Sequence, residues 1–354
     1  MYLKKISLLI LLYFSNLSYS ITPNVNLLVW YGYFDDPPGA EKIIEKKCNV
    51  HFTHDIYYTN DEILNRVKQN GISQYDLIIF SDTIYNSIIQ YIPKHAGDLS
   101  NQTKKYNNEI RKHYINEHYP KNIVYFLHSL TGFLYNPAVL SINSNDSLLT
   151  IFKKAKNNIM IMLDDPVEVW NLIKVSRGNM NDSDKSPSFI LNVKNFKTLV
   201  QNADIYIANN DNKLYDQKNF AGGFLWTGSF DAYLSNSTRH FKLYLSPKIS
   251  YISTDLLAAI NDRPQTKCVA NEIMSREILK FTQKDTQYFS PFGHSYEIRN
   301  GVYKKIYGNP LSKLDKLKWL PRVSKSEYTE LRNNWSDIQI QIQKKRNEKS
   351  QKYQ

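Results

Sequence analysis

With 354 residues and a hydrophobic content of 42%, the chain exceeds one ordinary core, at roughly 150 residues per domain, and that apolar share excludes a disordered or fibrous class. The formal net charge is +12, yet Lys and Arg are scattered and only Lys344, Lys345, Arg346, Lys349 and Lys352 cluster, so a nucleic-acid-binding stripe is not expected. That cluster reads as a solvated, frayed tail over residues 344–354.

In chain order, Lys4 and Lys5 precede an apolar run from Ile6 to Phe14, followed by Ser18-Tyr19-Ser20 at cleavage-type positions. This predicts a signal peptide over residues 1–20, removed near Ser20, and an exported mature chain. The run is well short of the ~20 apolar residues that span a bilayer. Cys48 and Cys268 are the only cysteines. An oxidising compartment permits a disulfide between them, and two separate buried thiols fit equally well.

From Asn26 the pattern alternates strand and helix. Leu27 to Tyr33 is an apolar and aromatic run suited to a strand covered on both faces. Pro37, Pro38 and Gly39 turn the chain into a helix with Ile43 and Ile44. Val50 to Tyr58 is the second strand, and Thr59 with Glu62 marks a capping box for a helix that Gly71 ends. Leu77 to Phe80 is a third strand, followed by a helix from Thr83 to Tyr91. A polar stretch from Asn101 to Asn122 leads to a new apolar element at Ile123 to Leu127.

Beyond it, Asp146 to Ala155 is helical, Ile159 to Leu163 a strand, and Pro166 a favoured first residue of a helix carrying Val169, Trp170, Leu172 and Ile173. Asn192 to Val200 and Ala203 to Ala208 continue the alternation. Strands follow at Phe224 to Trp226, Phe241 to Leu245 and Ile249 to Leu257, then a helix from Thr266 to Phe281. Ser324 and Glu327 mark a last capping box, before a helix with Tyr328, Leu331, Trp335, Ile338 and Ile342 on one face. Such alternation argues an α/β fold with parallel-type sheets.

No Walker A loop, GxGxxG, HExxH, CxxC or GxSxG occurs, so the common nucleotide, zinc and serine-hydrolase signatures are missing. His51 and His54, three apart on a strand, point to opposite faces and do not predict a metal site. No cofactor is expected. Four strands do end in acids or aromatics: Asp35 and Asp36, Asp82, Asp164 and Asp165, and Asp231 with Trp226. In open α/β sheets ligands bind at the carboxyl ends of the strands, and carboxylates beside aromatic faces suit an organic cation.

Several segments, taken in order, resemble the spermidine/putrescine-binding proteins of polyamine ABC importers. They are Leu27-Leu28-Val29-Trp30-Tyr31-Gly32-Tyr33-Phe34 with Pro37-Pro38-Gly39, Tyr75-Asp76-Leu77-Ile78-Ile79-Phe80-Ser81-Asp82, Thr131-Gly132-Phe133-Leu134-Tyr135-Asn136, Leu163-Asp164-Asp165-Pro166-Val167-Glu168-Val169 and Trp226-Thr227-Gly228-Ser229. The resemblance runs from about Asn26 to about Ile340. It implies a two-lobed periplasmic binding protein fold of type II, each lobe a mixed sheet flanked by helices. Residues 25–128 and 252–298 would form lobe 1, and 129–251 and 299–343 lobe 2. The implied role is a monomeric periplasmic receptor that holds a polyamine between its lobes and delivers it to an inner-membrane permease.

The same resemblance implies the site residues. Tyr31 and Phe34 fall at aromatic-box positions; Asp35, near the position where Tyr33 replaces the usual acid, and Asp82, at the end of its strand, join the candidate set from the strand-end pattern. Ser81 matches a serine near the amine. Asp165 and Glu168 match an acidic pair gripping an amino group, Trp226 a tryptophan flanking the aliphatic chain, Asp255 an aspartate facing the ligand, and Tyr288 the tyrosine of a late turn. Three positions depart from the pattern: Tyr33 stands where an acid is often found, Thr83 replaces an aromatic, and Ser253 replaces a tryptophan. On residue chemistry alone, Tyr31 and Trp226 also fit core aromatics, and Asp165 before Pro166 also fits a helix cap. The fold alternatively suits thiamine or a ferric complex, and paired acids suit an exported hydrolase.

Overall fold

The computed structural model describes residues 22–34, 39–177, 190–200, 203–208, 212–226, 240–246, 249–286, 288–292 and 318–351. The signal segment, Asp35 to Pro38, Thr227 to Ser229 and Asp231 lie outside them.

The first alternation forms in the expected order, β1 (Asn24–Trp30), α1 (Gly39–Cys48), β2 (His51–Tyr57), α2 (Asn60–Asn70) and β3 (Leu77–Ser81), but β1 starts three residues earlier than the apolar run and ends at Trp30, leaving Tyr31 to Phe34 in a turn. Val25, Leu27, Leu28 and Val29 of β1 are fully buried, which is why that strand reads as an unbroken apolar run. The start of α2 is fixed locally. Thr59 Oγ1 accepts from the Glu62 amide at 3.1 Å, and Glu62 Oε2 accepts from the Tyr58 amide at 2.8 Å. Gly71 then leaves the helix at φ 76°, a left-handed value that glycine adopts without strain.

The helix expected from Thr83 to Tyr91 is instead a run of short turns, with 3₁₀ segments on either side of Tyr85–Ile88. Pro93 contributes, because it drives Ile92 into extended backbone. The polar stretch holds α3 (Asn108–Asn116), and β4 (Ile123–Tyr135) is a single strand of 13 residues, of which sequence patterning marks only the beginning.

There follow α4 (Leu148–Lys154), β5 (Ile159–Met162), α5 (Pro166–Arg177), α6 (Val193–Val200), β6 (Asp204–Ile207), β7 (Phe220–Trp226), β8 (Lys242–Tyr244) and β9 (Tyr251–Ala259). The one helix expected over Thr266 to Phe281 is two, α7 (Pro264–Ile273) and α8 (Arg276–Thr286). Ser275 divides them, its hydroxyl accepting from the Ile278 amide at 3.3 Å as a new N-cap. After β10 (Lys318–Trp319), α9 (Lys325–Gln351) starts in a reciprocal capping box between Ser324 and Glu327. Lys344 to Gln351 continue this helix rather than fraying. The Arg346 guanidinium lies 3.9 Å from the centre of the Tyr206 ring, tying the end of α9 to β6.

Among the described residues the strands make one ten-stranded mixed sheet in the order β2-β1-β3-β9-β4-β7-β5-β6, with β10 on β9 and β8 on β4. Parallel triplets lie at both flanks, β2-β1-β3 and β7-β5-β6. The long strands β4 and β9 join them antiparallel. β3 covers Asp255 to Ala259 of β9, whereas β10 covers Tyr251 and Ile252. The β4–β9 register slips between Tyr125 and Leu127. The two half-sheets therefore meet where Asp255 stands.

Cys48 and Cys268 form a disulfide, joining the end of α1 to α7 and resolving the alternative that sequence left open.

Candidate ligand-binding site

Acids and hydroxyls converge where β3, β4, β7 and β9 meet the start of α5. Tyr251, Ser253 and Asp255 lie at every second position of β9 and so share one face. Ser81, the last residue of β3, is the register partner of Asp255. Pro166 opens α5 and places Glu168 in its first turn.

Glu168 is buried and accepts from four donors. Thr131 Oγ1 and the Tyr251 hydroxyl reach Oε2 at 2.9 and 2.8 Å. Trp226 Nε1 and Ser253 Oγ reach Oε1 at 2.6 and 3.1 Å. Burial raises its pKa and these four hydrogen bonds pull it back. All four lone-pair directions are used, so Glu168 holds the anion in place as a framework group. Glu168→Gln should lower stability by about 1–3 kcal/mol, because the new amide faces donors that lose their acceptor. Denaturant titration of the variant checks this.

Asp165 caps α5: Oδ1 accepts from the Val167 and Glu168 amides, each at 2.9 Å. The capping role coexists with a place in the cluster, since Oδ2 accepts from Asn60 Nδ2 at 3.1 Å. Burial, with the Glu168 charge adding, pushes Asp165 up to about 7. Asp255 is partly exposed, accepts from the Tyr33 hydroxyl, and is likewise pushed up to about 7, chiefly by burial. Tyr33, noted in the sequence as a departure, is the Asp255 partner. Its ring packs edge-on against Phe126 and Tyr288 at 5.3 and 6.2 Å. No lysine or arginine ion-pairs with Asp165, Glu168 or Asp255 among the described residues.

The remaining sequence candidates stand elsewhere or are already engaged. Tyr31 is 59% exposed and stacks on Tyr58 at 5.2 Å. Phe34 is buried against Phe52 and His54. Ser81 Oγ lies 3.0 Å from Thr83 Oγ1 at the edge of the cluster. Asp82 is paired with Arg322, Oδ1 to Nε 2.9 Å, so its charge is neutralised from within the protein. Asp35 lies outside the described residues. Residues that sequence reasoning did not select are Asn60, Thr131, Tyr251 and Ser253. The period-two spacing of 251, 253 and 255 was the available signal for two of them. An apolar groove lined by Phe196, Val200, Ile338 and Ile342 lies between α6 and α9 and contains none of these acids.

Titration of the cluster has a definite sign. Asp255 is faced by Tyr33, Tyr288 and Asp82, and Asp165 by Glu168 and Asp164. An acid raised above its ordinary value keeps its proton where the unfolded chain has released it, so the contribution of Asp165 and Asp255 to the stability of the unliganded protein falls as pH climbs from about 4 to about 7. The imidazoles of His113 and His128, held below their ordinary value by burial, contribute with the opposite sign. A cation that needs the anion gains affinity over the upper part of that climb. Melting curves between about pH 5 and about pH 7.5 should show Asp255→Asn gaining on the parent protein as pH rises, and the cation-induced rise of the parent growing. Two flat profiles would contradict this assignment.

No protein-family model matches the chain, and no curated protein matches it in sequence. Solved structures do match. The spermidine/putrescine ABC transporter substrate-binding protein PotD of Streptococcus pneumoniae is similar at 17% identity and a TM-score of 0.66, over 91% of this chain and 99% of that one. The binding protein MotA of A. tumefaciens, in complex with glucopine, aligns at 11% identity and a TM-score of 0.65, over 89% and 99%. Iron-bound HitA of Pseudomonas aeruginosa aligns at 11% and 0.62, again over 89% and 99%. The fold is that of the two-lobed substrate-binding proteins. Because the ligands named for these structures differ, the fold does not choose among them, and the side chains at the junction have to.

Proposed function

We propose that this protein is the extracytoplasmic solute receptor of an ABC importer, a non-enzymatic protein that captures a small organic cation of the polyamine kind between two lobes and hands it to an inner-membrane permease. The observation that carries this reading is the pair Asp165 and Asp255, buried or half-buried near Tyr33 and Tyr288 and next to the filled carboxylate of Glu168, with no basic side chain ion-paired to any of the three among the described residues. Such a site is negative at fixed points and apolar between them. An ammonium on a carboxylate gains roughly 1.5–3 kcal/mol as a charge-assisted hydrogen bond, and an aromatic face adds about 0.5–2.

The disulfide between Cys48 and Cys268 supports residence in an oxidising compartment, in keeping with a signal peptide ending near Ser20. No helix among the described residues is long and apolar enough to cross a membrane. The lobes would divide where β4 and β9 pass between the half-sheets, and closure about those strands is the hinge motion expected of such a fold.

Thermal-shift titration with putrescine and spermidine tests the reading. A ligand at 100 times its dissociation constant stabilises by about 2.7 kcal/mol, so a saturable rise in melting temperature is expected. Absence of any rise with an amine panel, alongside a rise with thiamine or a ferric complex, would keep the fold and overturn the ligand.

A further inference from the structure

Asn60 stands at the first position of α2, held there by the Thr59 cap, and it bridges the two half-sheets. Its Nδ2 donates to Asp165 Oδ2 at 3.1 Å and lies 3.4 Å from Thr83 Oγ1. The residue is 6% exposed, and its Oδ1 is buried without a hydrogen-bond partner among the described residues. Buried amide oxygens are rarely left so, because the lost hydration goes uncompensated. From Asn60 a row of polar groups runs through Thr83 and Ser81, 3.0 Å apart, to the β9 register position of Asp255.

Acceptor capacity along this row is uneven. Glu168 is filled by four donors, two of which, Thr131 and Tyr251, are 0% and 2% exposed and cannot turn to water instead. A ligand N–H placed on Glu168 would orphan one of them. Asp165 has Oδ1 filled by two amides and one open direction on Oδ2, beside Asn60. Asp255 accepts from Tyr33 alone among the described residues.

We infer that Asn60 is a ligand-reading residue: Asn60 Oδ1 and Asp165 Oδ2 together accept the far donor end of a two-ended ligand whose ammonium sits on Asp255, while Glu168 is framework and touches no ligand. This rests on the organic-cation reading above and adds which groups read the second end of the ligand. It also makes Asn60 the latch that joins the half-sheets around the ligand.

The test is calorimetric titration of the full exported chain with 1,4-diaminobutane, 1,5-diaminopentane and the single-ended butylamine, against the parent protein, Asn60→Ala and Asn60→Ser. The parent should prefer a diamine over butylamine by roughly tenfold or more, the scale set by one buried hydrogen-bonded end. Both variants should lose most of that preference, with butylamine affinity changed by less than about threefold, since Ala and Ser are tolerated at a helix start. Equal weakening of diamine and monoamine would reduce Asn60 to a structural contact and overturn the inference. Unchanged diamine binding in both variants would overturn it as well, and in either case the cation receptor would stand. If no amine binds the parent protein, the cation reading itself fails and the inference falls with it. The two failures are thus told apart in the unmutated chain.

Discussion

Asp255→Asn is expected to weaken binding of an organic cation by roughly 100- to 4000-fold, because an ammonium drawn into a buried site with no opposing charge costs about 3–5 kcal/mol. The substitution is nearly isosteric, and an asparagine oxygen can still accept from Tyr33, so the fold should persist. Its effect on the free protein has the opposite sign. Asp255 is pushed up to about 7 by burial, so removing the carboxyl should leave the unliganded chain equally or more stable above neutrality. Affinity falling while the melting temperature holds or rises is therefore the signature of a ligand anchor. Tyr31→Phe is the comparison: Tyr31 is 59% exposed, and loss of its hydroxyl should change affinity less than about twofold, within the range of exposed substitutions. Equal losses for the two variants in the same calorimetric series would remove Asp255 from the anchor role.

The second large effect concerns Arg322, which contacts none of the three site acids. Its guanidinium donates to Asp82 Oδ1 at 2.9 Å, pairs with Glu117 Oε2 at 2.6 Å, and lies between the Tyr85 and Tyr119 rings at 4.5 and 4.1 Å from their centres. Burial pushes Asp82 up to about 6, with Arg322 pulling it down. Arg322→Met should cost about 3–5 kcal/mol in denaturant unfolding at neutral pH, since it leaves a buried carboxylate with no cation. Adding Asp82→Asn to that variant should recover part of the loss by removing the charge that burial penalises. A single variant within about 0.5 kcal/mol of the parent would mean the pair is too well solvated to matter. This ion pair pins the segment after β10 to the end of β3, so the same variant also tests whether that segment steadies the β9 junction.

Local chemistry accounts for what was legible beforehand. The strand β1, covered on both faces, shows as an apolar run, and the caps of α2 and α9 show as Thr59 with Glu62 and Ser324 with Glu327, because each signal lies within a few residues. The break between α7 and α8 escaped, since a single Ser275 hydroxyl decides it inside a continuous helical pattern. The full length of β4 escaped because its second half is extended by pairing with β7 and β8, partners that carry no local mark. The departures at Tyr33 and Ser253 looked like losses from a pocket, yet both donate to its acids.

What the amino-acid order alone determined is the alternating α/β plan, the candidate acids at strand ends, and the resemblance that named a two-lobed fold. What only the tertiary structure decided is how each acid is used. Asp82 is neutralised by Arg322 from far along the chain, Glu168 is filled by hydroxyls and an indole from three separate strands, and Asp255 has a single protein donor among the described residues. The reason is physical. A carboxylate's availability depends on the donors within about 3 Å of it, and those arrive from segments whose separation in sequence says nothing of their distance in space.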